Sequence, residues 1–233
     1  MGTPKQGYSL NGEKFPGTTT IIGRFKDSGG LLYWAFEQGK LAQQGKIQKL
    51  YDKAEKAADI GTVAHAMIEA HINGANPQAV LNTMLSADED RAKALNAFDM
   101  YLKWEKQTGI KMLSKYQEIQ LVSPEYKFGG TPDAIGEING EIVLLDWKTS
   151  NGIYQDYMIQ LAAYRHLVND GVRMEDGKPF GLKVAKGAHL LRFAKDFPDF
   201  GHHYFGDLSD AWEQFLLFRK AYEIDKTLKK RAA

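Results

Sequence analysis

Residues 129–150, GGTPDAIGEINGEIVLLDWKTS, read as two β-strands joined by a tight turn. Asn139-Gly140 carries that reading. A type I′ turn needs positive φ at both central positions, which Asn and Gly tolerate best. A two-residue loop there opposes Ile138 to Glu141. Counting outward one residue at a time on each strand places Asp133 opposite Asp146. A four-residue loop centred on the same dipeptide keeps that register. Side chains alternate across a strand, so Ile142, Leu144, Asp146 and Lys148 share one face and Val143, Leu145 and Trp147 the other.

Two carboxylates and one amine should therefore meet at one end of the ribbon, on one face. Opposed Cβ atoms lie about 4.5–5.5 Å apart, and like charges at that distance repel. A divalent cation reverses the sign of that interaction. Carboxylate oxygens suit a hard ion such as Mg²⁺ or Mn²⁺, one or two of them. The plainer reading is a solvated strand end with a Lys–Asp ion pair. The apolar run before Asp146 and the Pro132-Asp133 step favour the metal site, because charges are seldom buried without a partner.

The rest of the chain sets limits. It has 233 residues, 43% of them hydrophobic and 25% charged, with a formal net charge of +1. That suits one domain spanning residues 1–233, with no repeat, low-complexity linker or hinge. Any polyanion site must be a local patch. There is no cysteine, which excludes disulfides, cysteine zinc sites and a cysteine-held iron–sulfur cluster. The N-terminus lacks the apolar core of a signal peptide and no stretch is long enough to span a membrane, so a cytoplasmic protein is expected.

Residues 1–30 are expected to be an irregular lead-in with short strands. A helical pattern follows from Leu31 to about Asn73, broken near Gly45 and around Gly61 and stopped by Gly74. SADE at 86–89 reads as a capping box, with Ser86 as N-cap and Glu89 reaching back, opening a helix to about Gln107. Residues 116–149 read as strands, 154–168 as a helix, 188–195 and 201–208 as a strand pair, and 209–229 as a final helix. The order predicts α/β layers around a mixed sheet.

Pro132-Asp133 followed by Asp146-Trp147-Lys148 resembles the signature of the PD-(D/E)XK nucleases. Gly61-x-x-x-His65 resembles the upstream helical histidine motif of the RecB-type subgroup, and Gln160-x-x-x-Tyr164 its downstream Q-x-x-x-Y motif. The motifs span about 61–164 in the subgroup's order. CRISPR-associated adaptation nucleases of this subgroup usually hold an iron–sulfur cluster through cysteines, so the nearer resemblance is to single-domain, cluster-free exonucleases of phage or mitochondrial type. The resemblance implies a restriction-endonuclease-like core: a mixed central sheet flanked by helices, with an N-terminal helical region. It also implies a metal-dependent DNA nuclease, an exonuclease in recombination, repair or replication, acting on single- or double-stranded DNA, with a recombination or annealing protein as a further partner and no membrane.

On that resemblance Asp133, Asp146, His65 and the Trp147 carbonyl hold the ion, and Lys148 orients water or stabilises charge in the transition state. The Trp147 side chain points into the core. Gln160 and Tyr164 face the site or the DNA backbone, against the alternative of a core Tyr and an exposed Gln. Thr149 is placed to contact a phosphate. Glu118, on the strand before the hairpin, would add a third carboxylate. Glu69, one turn beyond His65, supports the ligands or is simply exposed, with exposure favoured. Lys46, Lys49, Lys53 and Lys56 form a stripe at helical spacing, with Lys49 and Lys53 as DNA-backbone contacts or members of a solvated face. Tyr33, Trp34 and Phe36 are read as core rather than base-stacking groups, and His202-His203 as an ordinary strand pair. Two rivals remain: a non-catalytic nucleic-acid-binding module that kept the fold, and a metal hydrolase of small phosphoesters.

Overall fold

The computed structural model describes residues 4, 6–26, 29–46, 52–150, 152–185 and 187–232, without the side chains of residues 31 and 52–57. The chain runs β1 (Tyr8–Leu10), β2 (Glu13–Phe15), α1 (Thr18–Phe25), α2 (Gly29–Gln43), α3 (Asp52–Ile72), α4 (Pro77–Met84), α5 (Asp88–Thr108) and β3 (Lys111–Met112). After a 3-10 turn at Ser114–Tyr116 come β4 (Leu121–Ser123), β5 (Phe128–Gly130), β6 (Ala134–Ile138), β7 (Glu141–Lys148) and α6 (Gln155–Asp170). The chain finishes with β8 (Val172–Arg173), β9 (Ala188–Phe193), β10 (Phe200–Phe205) and α7 (Ser209–Ala232).

Asn139 and Gly140 adopt φ of 52° and 83°, the left-handed pair that a tight hairpin needs. Ile138 pairs with Glu141, and the ladder continues to Ala134 opposite Leu145. The register is the expected one. The paired strands sit inside a five-stranded sheet of order β10-β9-β7-β6-β3, in which β7 and β9 run parallel and the other neighbours antiparallel. Parallel neighbours need a crossover connection, and α6 lies in the chain between β7 and β9. A separate sheet has the order β5-β4-β8, and β1-β2 is a small hairpin.

The alternation along β7 divides the interior in two. Val143, Leu145 and Trp147 join a core with α3 and α5 residues such as Ala64, Met67, Tyr101 and Trp104. Leu144 joins a core on the other face with Ile21 of α1, Ile159 and Leu167 of α6, and Phe215 of α7. Asp146 and Lys148 therefore project toward the layer that contains α6.

Several local expectations are corrected. Residues 18–25 form α1 rather than an irregular lead-in. Three Thr and two Ile make it a weak helix former, and burial of Ile21 and Ile22 against the second core holds it. Residue 61 does not break its helix: α3 runs through it. The capping box is absent. Ala87 is the N-cap of α5 and makes no side-chain cap bond, while three acids occupy the first turn and favour the helix dipole. Glu89 turns forward to Lys93 at 2.8 Å instead of back to Ser86. Asn76-Pro77, which opens α4, is a signal the sequence does carry: the Asn76 side chain accepts from the Gln78 N–H at 2.9 Å.

Candidate active site

Asp146 is the anomaly of the molecule. It is 1% exposed, near the end of a core strand. Among the described residues its two carboxylate oxygens are the buried side-chain polar atoms that receive no hydrogen bond. Lys148 Nζ lies against Oδ2 as an ion pair rather than a directed hydrogen bond. Burial pushes the Asp146 carboxyl up to about 6, with Lys148 opposing the shift and Asp133 adding to it. A buried carboxylate is costly, and here Lys148 is the cation that offsets part of that cost.

Asp133 stands just beyond the last ladder pair of β6. Its Oδ2 accepts the Trp147 N–H at 2.7 Å, which fixes the carboxyl beside Asp146 and ties the two strand ends together. Burial raises its pKa as well, opposed by Lys148. For Lys148 burial acts against the ammonium, but the Asp146 and Asp133 carboxylates outweigh it and the net shift is upward. Lys148 also lies over the Tyr157 ring, 5.0 Å from its centroid.

Residues of two helices are electrostatically coupled to these carboxylates. His65 on α3 is held neutral, its pKa lowered to about 4 by burial and then by the nearby Lys148 charge, with Asp146 opposing. On α6, Gln160 Nε2 donates to the Tyr164 hydroxyl at 2.9 Å. Tyr164 is buried, and its pKa is raised first by burial and then by the Asp146 and Asp133 charges. Helix α3 approaches the end of β7 closely: a Cβ built at Gly61 would stand 2.6 Å from Thr149 Oγ1. Glycine is there for the contact, at the usual helix cost of about 1 kcal/mol.

The profile of the PD-(D/E)XK nuclease superfamily matches residues 26–225. The chain belongs to this superfamily. It adopts the restriction-endonuclease-like fold, a mixed sheet flanked by helices. Membership makes it a nuclease with a nucleic-acid substrate, and PD-(D/E)XK nucleases typically use divalent metal ions. Among solved structures, the crystal structure of SSO0001 is similar at 13% identity, covering 82% of this chain and 83% of that one with a TM-score of 0.34, a likeness on which nothing further rests. No curated protein matches the chain significantly.

The acidic pair fits a PD-(D/E)XK metal ion by its chemistry: Asp146 offers two hard oxygens that lack donors, beside a second carboxylate. Among the described residues no three His, Asp or Glu side chains form a complete ligand cage. His65 is not gathered with Asp133 and Asp146 into a ready ligand set, so an ion on the two carboxylates would need further ligands from backbone, water or substrate, or a closer approach of His65.

The other expected residues are placed as follows. Trp147 packs its side chain into the first core, edge-on to Tyr101 at 5.7 Å between centroids. Glu118 is not on a strand. It lies in the turn before β4 with φ 46°, held by its N–H on the Asp133 carbonyl at 3.2 Å; its charge still reaches Asp133 and His65. Glu69 is half-buried on α3 rather than exposed. Lys49 lies outside the described residues, as do the side chains of Lys53 and Lys56. Tyr33 and Phe36 are not core: they are 70% and 62% exposed on α2, whose inner face carries Trp34, Ala35 and Gln38. His202 and His203 do sit on a strand, β10, and His202 has company: Trp104 Nε1 donates to its Nδ1 at 3.2 Å, and its Nε2 is 2.8 Å from His189 Nδ1. Tyr157, under the Lys148 ammonium, is the site residue that the sequence reading missed. Its signal was position alone, nine residues after Lys148 on the next helix.

Among the described residues no helix is long and apolar enough to cross a membrane.

Proposed function

We propose that residues 1–233 act as one Mg²⁺- or Mn²⁺-dependent deoxyribonuclease domain of the RecB-type subgroup, working as a cytoplasmic exonuclease in DNA recombination, repair or replication, with a recombination or annealing protein as its further partner. The observation that carries the reading is Asp146: a buried carboxylate with the Lys148 ammonium against one oxygen and Asp133 beside it, its charge reaching Tyr164 on α6.

Asp133 and Asp146 would hold the ion, and the Trp147 carbonyl and His65, brought closer by α3, would complete its ligands. A bound divalent ion polarises a phosphate oxygen and acidifies water. The Asp146 and Asp133 carboxylates favour the ammonium form of Lys148 against the opposing effect of burial. As an ammonium it would orient water and stabilise charge gathering on the phosphoryl oxygens. Tyr164, whose oxygen already accepts from Gln160, donates its own proton toward a phosphate oxygen. Thr149 would contact a phosphate, and Glu118 and Glu69 add negative charge around the ligands. Lys49 and Lys53 contact the DNA backbone.

A pure binding module has no use for a buried pair of carboxylates, which repels a polyanion. The deciding experiment is digestion of 5′- and 3′-labelled single- and double-stranded DNA with Mg²⁺, Mn²⁺ or EDTA. Stepwise end-products that vanish in EDTA are expected. Intact DNA under every condition, or turnover confined to a chromogenic small phosphodiester, overturns the reading.

A further inference from the structure

An aromatic path leads from the candidate site to the surface. Lys148 Nζ stands 5.0 Å from the centroid of Tyr157. Tyr157 meets Tyr154 edge to face, 5.5 Å between centroids at 81°. Tyr154 is 49% exposed and sits at the N-cap of α6, where its side chain makes no capping bond. Gly152 lies beside the ring, where an added Cβ would come to 3.9 Å from Tyr154 Cζ and the hydroxyl. Lys26, between α1 and α2, brings its ammonium to 5.8 Å from the Tyr154 centroid. Asp156 holds that ammonium in place at 2.7 Å.

A half-exposed tyrosine here adds little to the core, yet a second ring and a cation stand against it. The half-exposed Tyr154 ring, with Lys26 near it and Lys148 at the adjoining Tyr157 ring, suits an unpaired nucleobase, whose phosphate would compete with Asp156 for Lys26. Bases stack on aromatic rings without regard to sequence, and lysines balance the backbone charge. A base inside a continuous duplex already has both faces stacked, so the ring offers it nothing.

We propose that Tyr154 and Tyr157, flanked by Lys26 and Lys148, form a base-stacking ledge that makes the site take a single-stranded end. This rests on the nuclease reading and names its substrate class. The base next to the scissile phosphate stacks on Tyr154. Tyr157 sets the distance from that base to Lys148, and Lys26 takes the following phosphate. A duplex end engages only after fraying.

The test compares wild type, Tyr154→Ala and Tyr154→Trp. The probes are fluorescein-labelled oligothymidylate, a blunt duplex, and single strands carrying one abasic site at each position in turn. Binding is read by anisotropy in EDTA, and cleavage by single turnover with Mn²⁺. In Tyr154→Ala the ratio of single-strand to duplex affinity should fall by roughly tenfold, the scale of one lost stacking partner. Tyr154→Trp should keep it. At one abasic position the wild type should lose as much as Tyr154→Ala, and the variant should lose nothing more there. The ledge is overturned if Tyr154→Ala keeps the wild-type ratio, or if abasic losses are the same in both proteins at every position. Failure of the wild type to cleave any strand would overturn the nuclease reading instead, and the EDTA arm would still decide the ledge.

Discussion

At the residue scale the protein turns on Asp146. Its neighbours in β7 are buried hydrophobes, and an Asn or Leu there would spare the fold a buried charge. The pair Asp146 and Lys148 separates two proposed tasks that are adjacent in space. Asp146→Ala should damage both Mn²⁺ affinity and cleavage, because it removes a proposed ligand. Lys148→Ala should leave Mn²⁺ affinity intact or slightly higher, since ammonium and metal ion repel, while cleavage falls by roughly two orders of magnitude. Lys148→Arg should rescue little, because a planar guanidinium is not a compact ammonium. Mn²⁺ titration beside single-turnover cleavage checks all three. Near-wild-type cleavage by folded Lys148→Ala would reduce the stretch to a strand end with an ion pair.

At the element scale the site depends on how α3 and α6 meet the end of β7. The contact of Gly61 with Thr149 is the tightest constraint. Alanine at 61 removes the helix penalty of glycine, about 1 kcal/mol, but its Cβ must displace the Thr149 hydroxyl, next in the chain to Lys148. Gly61→Ala should therefore melt at or near the wild-type temperature while cleaving roughly tenfold more slowly, because small misplacements at a reacting centre are expensive. Gly61→Ala/Thr149→Ala should recover much of the loss. Calorimetry with single-turnover kinetics separates the two effects, and an unchanged rate in Gly61→Ala would show that the approach of α3 does not position the site.

At the scale of the whole molecule two properties emerge that no single element carries. With a net charge of +1, nucleic-acid affinity must come from local cations and should fall steeply with salt. Lys49→Glu/Lys53→Glu should flatten that salt dependence and weaken DNA binding while leaving Mn²⁺ affinity unchanged; unaltered binding would mark the stripe as solvated surface. The second property is acid sensitivity. His189 of β9 is drawn into contact with His202 and Tyr204 across the strand pair, and Trp104 of α5 donates to His202. Burial and then His202 lower the His189 pKa to about 4. The unfolded chain therefore takes up this proton first. The stabilisation from neutral His189 is fully present above about 6.5 and is lost as pH falls toward 4. His189→Gln should show a shallower decline in urea midpoint across that window than wild type, and parallel curves would refute the linkage.

Local chemistry made part of this protein legible. Asn139-Gly140 can hardly avoid its turn, because few other residue pairs accept two positive φ angles cheaply, and strand alternation then places Asp133, Asp146 and Lys148 together with no knowledge of the rest of the chain. Helix α6, with Gln160 and Tyr164 on one face, follows from spacing in the same way. Other features depended on partners distant in sequence. Helix α1 has a poor helical sequence and exists because Ile21 and Ile22 find the second core. Residue 61 looks like a helix breaker until Thr149 arrives beside it. Glu118 looks like strand until the Asp133 carbonyl captures its N–H in a left-handed turn. Tyr33 and Phe36 look like core and stand in solvent, whereas Tyr157 carries no motif and lies under the Lys148 ammonium. Dihedral preference and side-chain period act within a few residues and are written in the sequence. Burial energy depends on which surfaces meet, and only the packed sheet and helices decide that.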